Sequence, residues 1–506
     1  MNNIIKTGLG VLLAMPLLMT LSGCKKFLDR KPLDATIEDI PGGGLEGQAL
    51  GLYSEIRGIH YDGFNTIPWL AFHSFRDDDS QKGSSPGDGS DWAAIFDGFN
   101  YTKSHWSNDQ YWSDHYAFLG NINKTIQIGD SLSQANGGTF DERSVVNMGE
   151  AKFFRAYVFF DLVRVYGQVP LINFRTYSTA QANIPKSPEA DIYAQIDKDL
   201  DSAEAALPVS WEGKYPGRLT KGAAMTLHAK TLLYRQRWAD ALALCNAVMA
   251  SGQYSLLPNY EGIFRESGEN SSESIFEIQA TESAGDNGIG ALWNYAGSQQ
   301  PRGSGVWNLG WGWNAPTDEL ANHAYEPGDP RREATILFSG QPDGLYGQVL
   351  PPYDPNNFPQ PYWNKKVYTD PAIRESTGDQ SGAWFNHRVL RYADVILMAA
   401  EASNEMGLTD TARALVNQIR ARARGTTNAL PDIPAGVSQD DMRKLIIQER
   451  HVEFAMEGER FFDLVRWGIA DSVLAPLGYT PKNKYYPLPQ GQVDASHGVL
   501  VQNPNY

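Results

Sequence analysis

A chain of 506 residues, 42% hydrophobic and 20% charged, has the balance of a globular protein and exceeds what one ordinary core organises. Its net charge of -16 repels phosphate backbones, which excludes nucleic acid as an expected partner. Of its 2 cysteines, one sits in a leader motif and the other has no mate, so no internal disulfide is expected.

Residues 1–23 read as a leader. Lys6 gives a weakly basic start, and the apolar run Leu9–Leu21, broken by Gly10 and Pro16, is too short for a stable bilayer span. Leu21-Ser22-Gly23-Cys24 then matches a lipobox, with Cys24 the residue to be lipidated. Two or more acyl chains there, palmitate among them, anchor durably at about 0.8 kcal/mol per buried methylene.

Residues 25–45, with Pro32 and Pro41, read as an extended tether, and a helix is expected over 45–56. Residues 58–108 mix Gly, Asp and Ser with Trp69, Phe72, Trp92, Phe96 and Trp106. They show little helical periodicity, so an ordered loop region is expected. Helical spacing resumes over 109–128 and again over 148–166, where the apolar arc is wider than one stripe. Gly167 suits a helix end, and Pro170 prevents continuation. A further helix is expected over 189–207, up to Pro208. Residues 223–234 and 238–250 form an alanine-rich helix pair, with Cys245 a buried, inert thiol. From 280 to 385 periodicity fades and Gly, Pro, Asn and Trp dominate, which predicts an irregular lobe with short strands. Helices return at 392–406, 409–424, 439–456 and 459–470, and Lys484–Pro489 is expected as an extended clamp. Pairing 45–56 with 109–128, 148–166 with 189–206, 223–234 with 238–250, and 392–406 with 409–424 gives four tetratricopeptide-like units. The fold class is therefore mainly α: a short right-handed helical scaffold carrying a loop-rich lobe.

One hexapeptide occurs twice, as Phe159–Arg164 and as Phe461–Arg466, each followed by a glycine, Gly167 or Gly468. Both copies read as the ends of buried helices, with Asp161–Arg164 and Asp463–Arg466 paired three residues apart.

Several stretches, in order, carry a family likeness. They are Cys24-Lys25-Lys26-Phe27-Leu28-Asp29 after the lipobox, and Gly149–Tyr157 continuing through Asp161–Arg164 to Gly167–Ile172. Toward the C-terminus they are Glu449–Phe454 with Glu457–Gly468, then Tyr486-Pro487-Leu488-Pro489, then Gln502–Tyr506. Together they resemble the SusD/RagB family of Bacteroidetes outer-membrane lipoproteins. The likeness implies a leader (1–23), an N-terminal helical region (24–260) and a C-terminal region (261–506) holding the variable lobe. It implies a lipid-anchored outer-membrane protein facing the cell exterior, partnered with a SusC-like TonB-dependent transporter. It also implies non-catalytic capture of an oligosaccharide, or of a peptide in the RagB branch. A protein-binding helical adaptor is a more distant alternative. An enzyme is not expected, since no P-loop or HExxH pattern occurs.

Sugar rings present one apolar face and a polar rim, so a site for them needs aromatic planes beside amides and carboxylates. Two loop regions, His60–Trp106 and Trp293–Asn314, have that composition. The expected ligand-binding residues are Trp92, Trp307, Trp311 and Tyr295, with Asp77 and Asp79 bonding hydroxyls from a solvated loop. Asp77-Asp78-Asp79 lacks EF-hand spacing, which leaves a structural calcium only as an alternative. No other cofactor or metal is expected.

Overall fold

The computed structural model describes residues 44–60, 66–90, 93–213, 215–280 and 294–506. The leader, Cys24, the tether up to residue 43, Trp92 and Trp293 lie outside the described residues. The elements that organise the chain are α1 (Gly44–His60), α2 (Thr66–His73), β1 (Ser80–Gly83), α3 (Trp106–Ala135), α4 (Glu142–Tyr166), α5 (Glu189–Ala206), α6 (Lys221–Tyr234) and α7 (Trp238–Ala250). They continue with β2 (Ser274–Ile278), α8 (Tyr295–Gln299), β3 (Trp313–Pro316), β4 (Ile336–Phe338), β5 (Tyr362–Asn364), β6 (His387–Arg391), α9 (Tyr392–Glu405), α10 (Thr409–Arg424), α11 (Gln439–Phe454) and α12 (Arg460–Arg466).

The four expected helix pairs form. α1 packs on α3, α4 on α5, α6 on α7 and α9 on α10, and the pairs join through α4 against α1 and α3, α5 against α6, and α7 against α9. Strands contribute only three two-stranded antiparallel ladders among the described residues: β1 with β3, β2 with β6, and β4 with β5. The 58–108 region is less irregular than its composition suggests. α2 lies there, hydrophobic on every side, and its Leu70, Ala71 and Phe72 are fully buried. With no polar face, it shows no amphipathic period to read.

α4 is the axis. Asp141 caps its start by accepting from the Ser144 backbone N–H at 2.9 Å, and every residue from Asn147 to Tyr166 except Lys152 is buried. Gly167 ends it at φ 71°, and a Cβ there would lie 2.9 Å from the Tyr485 ring, so geometry and space both require glycine. The clamp explains that contact. Tyr486 is fully buried and donates its backbone N–H to Val165 O at 2.7 Å. Only its leading residue departs from expectation, Lys484 closing a single 3-10 turn from Pro481.

The two hexapeptide copies meet in space. Arg164 pairs with Asp161, as read from the sequence, and lies 4.5 Å from the Phe160 ring and 4.4 Å from Phe462 of the second copy. Asp463 and Arg466 pair at 2.7 Å, and Arg466 also binds Glu401. Cys245 is fully buried, and burial pushes its thiol well up from the ordinary range.

Beneath α11 lies a buried ionic network. Arg331, Arg391 and Arg422 converge on Glu453; Arg331 and Arg420 bind Glu449; Arg391 and Lys366 bind Glu457. Glu273, beside β2, accepts from Arg391 and Arg422. This network ties the start of β2 to α10 and α11.

A second polar cluster sits where α1, α2 and β6 meet. Trp69 stacks on His73 at 4.9 Å and meets His387 edge-on at the same distance, while His60 lies 5.5 Å from His387. Burial pushes His387 down to about 3, with the charges of His73 and Arg388 adding to it; burial likewise lowers His60 and His73. An unfolded histidine takes up its proton below about pH 6.5, whereas these remain neutral in the fold, so each contribution is lost as pH falls. Asp97 and Glu269, raised by burial to about 7, act in the opposite sense, so the whole-protein trend is a difference between the two sets. His387→Asn isolates one member. Relative to wild type it gains about 2 kcal/mol between pH 7.5 and pH 5, read from urea midpoints at each pH. A pH-independent difference between the two proteins contradicts the assignment.

Candidate ligand site

The loop between α8 and β3 is pinned by its own backbone. Trp311 N–H donates to Gly297 O at 2.9 Å, Gly312 N–H to Gln300 O at 3.0 Å, and Leu309 and Gly310 N–H to Pro301 O at 3.1 Å each. β3 then pairs with β1 through Gln81 opposite Ala315 and Gly83 opposite Trp313. Gly310 is held tightly, since a Cβ there would lie 2.1 Å from Gly297 O. Backbone cannot give way as a flexible side chain can. Gly310→Ala is therefore expected to displace Trp311, to cost about 1–3 kcal/mol, and to weaken ligand binding with it. Thermal unfolding and affinity measured on one preparation check this; unchanged affinity contradicts it.

Two aromatic features flank this loop. Trp311 is half-buried, stacked on Trp313 at 5.8 Å and 23°, with the Arg302 guanidinium 5.7 Å from its ring. Arg302 is itself fixed by Asp88 and by the Ser84 hydroxyl at 2.8 Å, and Gln81 bonds Gln360 at 3.2 Å nearby. On the other side, Trp307 lies parallel to Tyr368 at 6.1 Å and 12° and edge-on to Phe358. Those two parallel rings line an open pocket of about 270 Å³, with Gln348, Glu375 and Gln380 also in its wall. Arg374 serves the wall by donating to Thr369 O and hydroxyl and lying 5.4 Å from the Tyr368 ring.

The other expected site residues fall elsewhere. Tyr295 is buried and stacked on His387 at 4.2 Å, so it belongs to the histidine cluster. Trp307 is only 7% exposed, because it fills a satellite core with Leu309, Leu350, Phe358 and Trp363 and reaches the pocket only from that core. Trp92 lies outside the described residues.

Asp77 and Asp79 are a clear correction: the loop expected to be solvated is buried. Asp77 accepts from the backbone N–H of Asp79 and Ser80 at 2.9 Å each, and burial with two neighbouring carboxylates raises its pKa well above the usual range. Asp78 receives two bonds of 2.8 Å from Arg460, and Asp79 pairs with His451. Three adjacent carboxylates read as exposed because their partners, Arg460 and His451, are remote in sequence. Asp78, Asp79 and His451 do gather ligand atoms within 4.8 Å, but Arg460 already occupies both oxygens of Asp78. That arrangement fits a guanidinium-closed turn better than a calcium shell of six to eight oxygens.

Gln348, Tyr368, Glu375 and Gln380 were not singled out by sequence. They reach the Trp307 pocket from far along the lobe, and no local pattern links them to it; only the lobe's amide-rich composition hinted at them.

Comparisons with known proteins agree with this architecture. Residues 272–506 match the family model described as SusD family, and residues 48–233 match one described as starch-binding associating with outer membrane. A SusD-like protein P2 of Formosa agariphila is 28% identical over 418 residues, covering 78% of this chain and 80% of that one. A SusD-like protein of Bacteroides ovatus is 27% identical over 382 residues, covering 70% of this chain and 65% of its own length. Among solved structures, a laminarin binding SusD-like protein superposes with a TM-score of 0.75 at 27% identity, covering 91% of this chain and 99% of that one. Surface glycan-binding protein A from Bacteroides thetaiotaomicron, solved with laminarihexaose, matches in fold with a TM-score of 0.74 at 24% identity, covering 91% and 99%. With two family models spanning most of both halves of the chain, and a superposition that covers nearly all of it, the chain belongs to the SusD family.

Proposed function

We propose that this protein captures oligosaccharides at the outer membrane without altering them and passes them to a SusC-like TonB-dependent transporter. The observation that carries the reading is the α8–β3 loop, which places half-buried Trp311 on one side and the Trp307–Tyr368 pocket, with its amides, on the other. That combination meets a sugar's needs: ring planes for its C–H face, and amides for its hydroxyls. The name of the laminarin binding relative supports the same ligand class. Attachment through lipidated Cys24, with the protein facing outward, completes the proposal. Among the described residues, no helix is long and apolar enough to cross a membrane.

The test is a depletion assay. Mature protein is mixed with insoluble polysaccharides or with immobilised peptides, and the supernatants are analysed for bound protein and for soluble products. Retention on a polysaccharide with no released sugar is expected. Retention on peptides alone favours the peptide-capturing alternative, and released sugar contradicts non-catalytic capture.

A further inference from the structure

The loop between α5 and α6 carries two aromatic rings that the cores do not use. Trp211 and Tyr215 are half-buried and, among the described residues, belong to none of the hydrophobic clusters. Trp211 is nevertheless held in place. Its indole N–H donates to Leu219 O at 2.7 Å, and Tyr215 meets its ring edge-on at 5.6 Å. The Arg218 guanidinium lies 4.1 Å from the same ring. Arg218 is 7% exposed, and each of its three nitrogens already donates: two bonds of 2.8 Å to Glu150, and further bonds to Glu46 and Asn147. It backs the indole and is not left over for an anion. The two rings line an open cavity of about 330 Å³, whose other walls come from Gln253, Tyr254 and β2. Tyr254 is a third fixed ring. Its hydroxyl bonds that of Thr220 at 2.7 Å, and a Cβ on Gly222 would lie 2.5 Å from it. Two polar groups of the lining have no partner among the described residues. Exposed Gln253 uses its backbone N–H toward Ser251 but not its side-chain amide, and Ser274 uses its backbone N–H toward Ser271 but not its hydroxyl.

Fixed ring planes beside an unused amide and hydroxyl, both of which donate and accept, match a sugar's C–H face and its hydroxyl rim. The lining's one cation among the described residues is fully engaged, so a carboxylate or phosphate gains no charge-assisted bond there, and a neutral sugar is favoured. The volume lies at the small end of ligand pockets, about 300–1,000 Å³, which suits a short stretch of a glycan. We infer that the α5–α6 loop is a second glycan contact, binding a neutral sugar residue against Trp211. It shares no residue with the Trp307–Trp311 site. Its ligand class rests on the capture reading above, but its residues are tested separately.

The test compares two readouts on the mature protein. Retention is measured on insoluble curdlan, granular starch, microcrystalline cellulose and chitin, and affinity for the soluble hexaose of each is measured by calorimetry. On the glycan that wild type binds, Trp211→Ala is expected to weaken retention about tenfold, as loss of one of two linked contacts does. Its hexaose affinity and melting temperature should stay unchanged. Trp311→Ala is expected to lose the hexaose yet keep a residual retention, which adding Trp211→Ala abolishes. Gln253→Ala, at an exposed side chain, is expected to weaken retention about threefold, the worth of one hydrogen bond. If Trp211→Ala melts below wild type, Gln253→Ala decides, and its full retention overturns the inference. Full retention of a stable Trp211→Ala, an equal fall in its hexaose affinity, or no residual retention in Trp311→Ala also overturns the inference and leaves the capture reading standing. Wild type retained on none of the glycans overturns both.

Discussion

Glu453→Ala is expected to remove about 3–5 kcal/mol of stability, enough to leave much of the protein insoluble on expression. Glu453 is fully buried on α11. Its carboxylate accepts from Arg391 at 2.7 Å, from Arg331 at 3.2 Å and from Arg422. Burial alone would raise its pKa, but the charges of Arg422, Arg391 and Arg331 outweigh that and hold it well below the usual carboxylate range. Truncation leaves three guanidinium groups buried short of an anion, which is the expensive way to break a buried network. Glu453→Gln keeps the shape but not the charge, so it is expected to be nearly as damaging. Glu405→Ala is the control. Its partner Arg443 is 39% exposed along its side chain, so the loss should stay within about 1 kcal/mol. Urea midpoints, with soluble yield as the second readout, order the three variants. A Glu453 effect no larger than that of Glu405 contradicts the network's role.

Trp311→Ala is expected to weaken oligosaccharide binding about 30-fold or more, since a central tryptophan in an interface contributes about 2 kcal/mol or more. Stability should change less, because the indole is half-buried and Trp313 remains beneath it. Trp307→Ala differs in kind. Trp307 fills the satellite core against Phe358 and Tyr368, so truncation is expected to cost about 3–5 kcal/mol and to loosen the lobe along with the pocket. Only Trp311→Ala is therefore expected to separate lost binding from lost stability. Calorimetry separates the cases: full affinity in Trp311→Ala, with a folded protein, contradicts the placement of the site.

The helical scaffold was legible because its signals are local. Alanine-rich spacing over 223–250 and 392–424 gave helix pairs whose observed limits lie within a residue or two of those expected. The i,i+3 pairs Asp161–Arg164 and Asp463–Arg466 formed as read. What remained hidden depends on partners remote in the chain. Asp78 looks solvated until Arg460 is placed beside it, and Tyr295 looks like a loop aromatic until His387 stacks on it. α2 lacked a period because it is buried all round. The pocket at Trp307 needed Gln348, Tyr368 and Gln380 to be folded back onto it, and no spacing rule foretells that.

The most direct measurement is a calorimetric titration of laminarihexaose and a panel of unrelated oligosaccharides into the protein starting at residue 25, followed by chromatography of the recovered sugar. The account predicts saturable binding of at least one of them, return of the sugar at its original length, and loss of that binding in Trp311→Ala. Absence of binding to every oligosaccharide, or recovery of shortened chains, would contradict it.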